Sequence, residues 1–212
     1  MKALDLNPEN KKTVLLIHPM LSSADGMKIN IADNLGDDLR YIIPDLSAHG
    51  ESIDKTYHSS KEEARAIYEH LKALNISELD LAYGASLGGV VLLQLLDYKD
   101  IRINKAIFEG CSLWQNSRIQ EFIMKKIFIK KHRKAIKNKK LAVERMTRIY
   151  GKNASVMADT FIAMNEESII NIIHDCSFVN LPSLSEEEQR KCLFTYGSKE
   201  FDLRSAKKYL PK

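Results

Sequence analysis

The residues with the clearest chemical potential in this 212-residue chain form the string Gly84-Ala85-Ser86-Leu87-Gly88. The string matches Gly-x-Ser-x-Gly, in which a serine occupies a sharp turn between a strand and a helix. Flanking glycines let the backbone pass closely, while the serine is forced into an unfavourable conformation. The Ser86 hydroxyl would then stand at the positive end of a helix, which stabilises an oxyanion. The pattern favours nucleophilic catalysis by Ser86, and the alternative is a small-residue turn with an incidental serine.

The elements around this string follow the order that such a turn requires. Apolar periodicity predicts a strand at Leu79–Tyr83, directly before the turn, and a buried helix at Gly88–Tyr98 after it. The same reasoning predicts further strands at Thr13–Ile17, Tyr41–Ile43 (ended by Pro44) and Ile103–Phe108, and a short edge strand before Lys11. It predicts helices at Asn30–Arg40 and Ser60–Leu74. This alternation with short connections predicts the α/β class: a mostly parallel open sheet with helices on both faces.

The alternation stops after Ser112. Residues 113–190 show helical patterns and charge clusters, including a capping box at Ser185 and Glu188, and a strand pattern returns only at Cys192–Tyr196. A connection of this length is too long for a loop. We therefore expect an α/β core formed by residues 1–112 and 191–212, with residues 113–190 inserted as a helical lid.

The composition is that of an ordinary globular domain. Apolar residues make up 44% of the chain and charged residues 28%, which excludes disordered and collagen-like classes. Three cysteines without metal-ligand spacing argue against a disulfide framework and against a zinc site. No apolar run reaches the length of a membrane span. The expectation is a soluble, cytoplasmic protein.

The basic residues are concentrated in one segment. Residues 118–148 contain 12 Lys/Arg and 2 Asp/Glu, which leaves 20 basic and 26 acidic residues elsewhere. Within it, Phe122, Ile123, Ile127 and Phe128 interleave with lysines, which predicts a helix with an apolar stripe and a cationic face. Such a helix could touch an anionic surface weakly or bind an acidic ligand, or be simply solvated. No nucleic-acid-binding fold signature accompanies it, so no nucleic-acid partner is expected.

Three strings together resemble the α/β-hydrolase superfamily, in particular its small serine esterases and lipases. They are Leu16-Ile17-His18-Pro19-Met20, Pro44-Asp45-Leu46-Ser47-Ala48-His49-Gly50-Glu51-Ser52, and the string around Ser86. The resemblance implies that Ser86 is the nucleophile and that the backbone N–H groups of Met20 and Leu87 form the oxyanion hole. Pro19 stands where the family usually has glycine. Proline has no backbone N–H, but the N–H at this position is not one of the two that would bind the oxyanion. No cofactor or metal is implied.

The acid that the resemblance implies should follow the strand Cys192–Tyr196. The turn Gly197-Ser198-Lys199-Glu200 resembles the family's Gly-x-x-Asp, with Glu200 at the position of the acid. A glutamate can orient a histidine as an aspartate does. Asp202 is the competing choice, and both carboxylates could instead only cap the helix that contains Ala206–Leu210.

The family's third catalytic residue, a histidine after the last strand, is not found. The histidines are His18, His49, His58, His70, His132 and His174, and none follows Glu200. The first two lie in the family's backbone motifs, where the resemblance implies a structural role, and only His174 is an alternative base. We therefore expect either that a C-terminal strand with its histidine loop is missing from this sequence, or that the scaffold has lost hydrolysis. Cys111 is a further nucleophile candidate, although a small buried hydrophobe is favoured.

These patterns lead to two hypotheses. The first is a serine hydrolase that cleaves a small carboxylic ester or related acyl substrate through an acyl-enzyme on Ser86, with Glu200 as the orienting acid. The second is a non-catalytic protein that binds a ligand or partner on the same scaffold. The sequence indicates neither the oligomeric state nor the acyl chain length.

Overall fold

The computed structural model describes residues 1–151 and 154–210, with Ile149 and Tyr150 described by their backbone alone. Its main sheet contains β1 (Lys2–Leu6), β2 (Thr13–Ile17), β3 (Arg40–Asp45), β5 (Leu81–Ala85), β7 (Ala106–Glu109) and β8 (Cys192–Thr195). The strand order is β1-β3-β2-β5-β7-β8; β1 runs antiparallel to β3 and the other neighbours pair in parallel. The short strands β4 (Glu78–Leu79) and β6 (Arg102–Ile103) pair separately. The predicted mostly parallel sheet and its edge strand before Lys11 are confirmed.

Alternate residues of β2 show how the sheet is covered on both faces. Leu15 and Ile17 belong to a large buried cluster, whereas Val14 and Leu16 belong to a smaller one on the opposite face. Successive side chains of a strand point to opposite faces, so a strand between two helical layers must be apolar throughout. This requirement explains the uninterrupted apolar run of β2, which is wholly buried.

Two predicted strands are each divided in the structure. Asp80 separates β4 from β5 because its backbone N–H donates to the Thr13 carbonyl and its carboxylate accepts from the Thr13 N–H, both at 2.9 Å. The prediction of one strand at Leu79–Tyr83 was therefore wrong in its boundaries, as was the single strand at Ile103–Phe108, which is divided between β6 and β7. The third strand continues past its predicted end, since Pro44 pairs with Ala3 of the edge strand β1.

The helices that cover the sheet begin at capping residues. Ser23 caps α1 (Ala24–Met27), which continues through a π-helical turn (Lys28–Ala32) into α2 (Asp33–Leu35), so this helical segment starts earlier than predicted. Ser59 caps α3 (Ser60–Ala73), where its side chain accepts from the Glu62 N–H. The helix α4 (Leu87–Leu95) is buried along its whole length, as its composition predicts.

The chain between β7 and β8 is helical in the described residues. It forms α5 (Arg118–Lys137), α6 (Lys139–Tyr150), α7 (Ala154–Ala163), α8 (Glu166–Ser177) and α9 (Glu186–Arg190), and α10 (Leu203–Tyr209) follows β8. The predicted capping box of Ser185 and Glu188 is present in α9. Within residues 1–151 and 154–210, no helix combines the length and the apolar character that crossing a bilayer requires.

Candidate active site

Ser86 lies in the sharp turn that joins β5 to α4. Its backbone has φ 48° and ψ −110°, a left-handed conformation that is costly for any residue with a Cβ. The turn is held by a 2.7 Å hydrogen bond from the Ser86 N–H to the Glu109 carbonyl, and the Ser86 carbonyl accepts from Gly89 and Val90. The residue is solvent-exposed, although the helix that it opens is buried. The fold therefore presents this hydroxyl to solvent at a helix N-terminus.

The glycines around Ser86 are required by close backbone contacts. A Cβ on Gly84 would lie 2.5 Å from the Gly88 carbonyl oxygen, and a Cβ on Gly88 would overlap the Ile17 carbonyl at the end of β2. A Cβ on Gly89 would lie 2.8 Å from the Cys111 sulfur. The first turn of α4 thus passes directly over the ends of neighbouring strands, at a distance that only glycine permits.

The two N–H groups expected to bind an oxyanion are in suitable surroundings. Met20 follows β2 in a turn closed by a 3.2 Å hydrogen bond from the Ser22 N–H to the Pro19 carbonyl, and Leu87 is the first residue of α4. Neither N–H donates to a backbone acceptor within the part of the chain that the structure describes. The Leu87 N–H lies at the N-terminus of α4, where the helix dipole favours negative charge.

Two buried histidines hold the loops beside this turn. His18 Nε2 accepts from the Leu46 N–H at 3.0 Å, so its Nδ1 carries the proton and donates to the Pro19 carbonyl at 2.9 Å. His49 Nδ1 lies 3.0 Å from the Ser47 carbonyl, and the two rings are 4.9 Å apart. Burial lowers the pKa of His18 to about 4 and, with the neighbouring His18, that of His49 to about 3. Both are therefore neutral near pH 7 and join the loops after β2 and β3.

Asp45 is a positioning residue that the sequence reasoning missed. Its carboxylate accepts from the Ala24 N–H at 2.7 Å and from the Glu51 N–H at 2.9 Å, and so joins three segments near Met20. It also closes the space over Gly50, whose φ of 49° and lack of a Cβ permit the approach. The only indication of this role in the sequence was the short separation between Asp45 and Gly50 in the Pro44–Ser52 string.

The two candidate acids occupy different surroundings. The Glu200 carboxylate is exposed and lies against Gly110 and Gly197, at the carboxyl ends of β7 and β8. Asp202 is partly buried; burial raises its pKa, and the neighbouring Ser112 and Trp114 oppose the rise. Asp202 occupies the N-cap position of α10, but its side chain makes no capping hydrogen bond. The capping role considered for it is therefore wrong, and Glu200 is the acid that stands open to solvent.

His174, the alternative base, pairs with Glu121 rather than with Ser86. His174 lies on α8, half exposed, where its Nδ1 is 2.7 Å from Glu121 Oε1 and its ring stacks on Phe178 at 4.8 Å. The core-facing residues of that helix include Ile169 and Ile173, and His174 is not among them. In residues 1–151 and 154–210, no hydrogen bond joins the Ser86 hydroxyl to a histidine nitrogen.

The remaining histidines and Cys111 belong to other environments. His132 is buried against Phe161, with ring centroids 5.2 Å apart, while His70 lies on α3 and His58 lies 4.0 Å from Glu167. Cys111 is fully buried, and burial raises its pKa well above the usual value for a thiol. A protonated, inaccessible thiol packs as a small hydrophobe.

Comparisons with known proteins agree with the fold. Residues 12–149 match the model of the α/β hydrolase fold family. No curated protein sequence matches the chain. Among solved structures, a hydrolase from Pseudomonas aeruginosa superposes with a TM-score of 0.70 at 14% identity, covering 97% of this chain and 79% of that one. A thermophilic esterase from Thermogutta terrifontis gives 0.66 at 15% identity, with coverage of 92% and 84%.

A third structure, an esterase from Rhodococcus sp., gives a TM-score of 0.63 at 17% identity and covers 97% of this chain and 80% of that one. These identities are low, so the structural likeness speaks for the fold. The family model, in contrast, spans more than half of the chain and includes the Ser86 turn, the loop of Met20 and the Pro44–Ser52 string. The chain belongs to the α/β hydrolase fold family.

Proposed function

We propose that this protein is a serine hydrolase that cleaves a carboxylic ester or a related acyl substrate through an acyl-enzyme on Ser86. The observation that carries the proposal is the exposed, strained Ser86 at the N-terminus of α4. A non-glycine residue is held in such a conformation only where the surrounding structure enforces it, and such strain clusters at catalytic positions. The esterases among the structural neighbours support the same class of reaction.

The proposed reaction has two steps. Ser86 Oγ attacks the carbonyl carbon, an Oγ–C bond forms, and the carbonyl electron pair moves to the oxygen, which binds the N–H groups of Met20 and Leu87. Collapse of this oxyanion breaks the bond to the leaving oxygen, which takes up the proton that Ser86 releases by way of the solvent to which Ser86 is exposed. Water then hydrolyses the acyl-enzyme to a carboxylic acid and free Ser86. Glu200 is the proposed acid of the site, the carboxylate that would orient a histidine base.

Covalent labelling tests this proposal. A fluorophosphonate probe should form an adduct on Ser86, detected by mass spectrometry of the digested protein. The label should disappear in Ser86→Ala and persist in Ser198→Ala, a matched control at an exposed serine in the turn before Glu200. An unlabelled wild-type protein with a native thermal transition would contradict the proposal.

A second candidate function is ligand binding without catalysis on the same scaffold. It is favoured by the absence of a histidine bonded to Ser86 among the described residues, because triad removal in a well-studied protease costs on the order of 10⁶-fold in rate. The two candidates differ in the labelling result and in turnover. An adduct on Ser86 with release of alcohol from an ester supports the hydrolase, whereas ligand binding without either supports the second candidate.

A further inference from the structure

A cavity of about 420 Å³ lies between helices α5, α6 and α7. Its volume falls in the range of small-molecule sites in proteins. The interior is apolar and is lined by Leu21, Phe128, Ala135, Leu141, Met146 and Phe161. An apolar space of this size can hold the hydrocarbon part of an amphipathic ligand.

One wall of the cavity belongs to the loop after β2. Leu21 directly follows Met20, whose N–H is a proposed oxyanion donor, and its φ of 70° turns the chain at this point. Leu21 is buried in the main core cluster and also lines the cavity. The loop that carries the proposed oxyanion donor therefore also supplies one wall of the cavity.

Four cations stand around this apolar space. They are Lys131, Lys134, Arg145 and Arg148, which line the cavity and are exposed to solvent. The first two share one face of α5 because they are separated by three residues, and the other two do so on α6. Long basic side chains can lay their stems along apolar surface and keep their charged ends at the mouth. The mouth of the cavity is thus cationic and its interior is apolar.

The four cavity cations differ from other cations of the same segment, which form ion pairs with carboxylates. Lys125 pairs with Glu121 at 2.6 Å, Arg133 with Glu166 at 2.6 Å, and Lys139 with Asp159 at 2.5 Å. None of the four cavity cations has a carboxylate within 4.0 Å in the described ranges of the chain. Their charges are therefore available to a ligand rather than neutralised by the fold.

We propose that this cavity binds an amphipathic anion, with its hydrocarbon segment inside and its carboxylate, sulfate or phosphate at the cationic mouth. As a specificity subsite it rests on the proposed function, since it names the substrate class of the Ser86 reaction. Charge-assisted hydrogen bonds to an anion would give the selectivity, and burial of hydrocarbon would give the affinity. A single ligand molecule is the occupant, rather than a membrane surface.

Binding of octanoate tests the proposal without any chemical step. Isothermal titration calorimetry on the Ser86→Ala protein would compare octanoate with neutral octanamide and with acetate, which lacks the chain. We expect octanoate to bind about tenfold more tightly than octanamide, and acetate to bind least. The preference for octanoate should be lost in the double variant Lys131→Gln/Arg145→Gln. It should persist in the matched control Lys137→Gln/Lys140→Gln, which removes two cations of the same segment that do not line this cavity.

A separate variant tests whether the hydrocarbon chain of the ligand binds inside the cavity. Ala142 also lines the cavity, so Ala142→Phe should fill it and weaken octanoate and octanamide together. Circular dichroism and thermal melts would verify that each variant is folded. Equal affinity for octanoate and octanamide, or an equal loss in both double variants, would overturn the proposal. Binding to phosphatidylglycerol vesicles without binding of octanoate would also overturn it, since that result indicates a charged surface instead of a pocket.

The binding of octanoate and the labelling of Ser86 test the two proposals separately. If octanoate binds as expected and Ser86 is not labelled by a fluorophosphonate, the cavity proposal holds and the hydrolase proposal fails. If Ser86 is labelled and octanoate does not bind, the hydrolase proposal holds and the assignment of this substrate class fails.

Discussion

Replacing Ser86 by glycine should make the protein more stable, whereas replacing it by alanine should not. Ser86 has φ 48° and ψ −110°, a conformation that a residue with a Cβ adopts only under strain and that glycine adopts freely. Alanine keeps the Cβ and hence the strain. Because the Ser86 hydroxyl makes no hydrogen bond within the described residues, its loss in Ser86→Ala should change stability little.

The magnitude follows from two opposing contributions. Strain of this kind costs about 1–3 kcal/mol, and glycine removes it. Glycine also has more conformational freedom in the unfolded chain, which costs roughly 0.5–1 kcal/mol relative to alanine. We therefore expect Ser86→Gly to exceed Ser86→Ala by about 1 kcal/mol in the free energy of unfolding. For a chain of this length the difference corresponds to roughly 2–4 °C in Tm.

Urea denaturation and differential scanning calorimetry of both variants would measure this difference. Glu69, exposed in the middle of α3, supplies the matched control. There the order should reverse, with Glu69→Ala more stable than Glu69→Gly by about 1 kcal/mol, as in an ordinary helix. If alanine is also the more stable residue at position 86, the fold does not hold Ser86 under strain and the reasoning is refuted.

Three further predictions concern residues around the turn. Gly88→Ala should lower the free energy of unfolding by about 3 kcal/mol in urea titrations, because the added methyl group would overlap the backbone at the end of β2. The free energy of unfolding should reach its full value above pH 6.5 and fall as the pH approaches 4, because burial lowers the pKa of His18 to about 4 and that of His49 to about 3, whereas both take up protons more readily in the unfolded chain. His18 alone contributes about 3 kcal/mol. Thermal melts independent of pH in this window would contradict the prediction. In ester hydrolysis, Glu200→Gln should lower kcat more than Asp202→Asn does, and the opposite pattern would reassign the acid.

The sequence predicted the parts of the fold that depend on local patterns. The run Thr13–Ile17 could be assigned to a buried strand because every residue in it is apolar, and the glycines around Ser86 indicated a tight turn. Boundaries that depend on distant partners were not predictable. The break in the strand at Asp80 arises from hydrogen bonds to Thr13, which lies 67 residues away. Such a contact has no signature in the immediate neighbourhood of either residue.

The candidate site shows the same division. Ser86, Met20 and Leu87 could be proposed from the sequence because they belong to short strings that resemble those of the family. The cavity beside Leu21 is formed by faces of three helices, and their packing cannot be obtained from the periodicity of each helix taken alone. The ion pair of Arg133 with Glu166 likewise joins α5 to α8. The distinction between paired and unpaired cations therefore required the tertiary structure.

The helical segment between β7 and β8 has a consequence for how this scaffold can diverge. The Tyr196 hydroxyl donates to the Cys111 carbonyl at 2.7 Å, and this contact closes a loop of 85 residues. The entropy of closing a loop grows only with the logarithm of its length, so doubling the loop costs about 0.6 kcal/mol. Insertions or deletions among α5, α6 and α7 would thus leave the strand pairing almost unaffected while they reshape the cavity. The shape of the cavity and the stability of the sheet can consequently evolve through different parts of one gene.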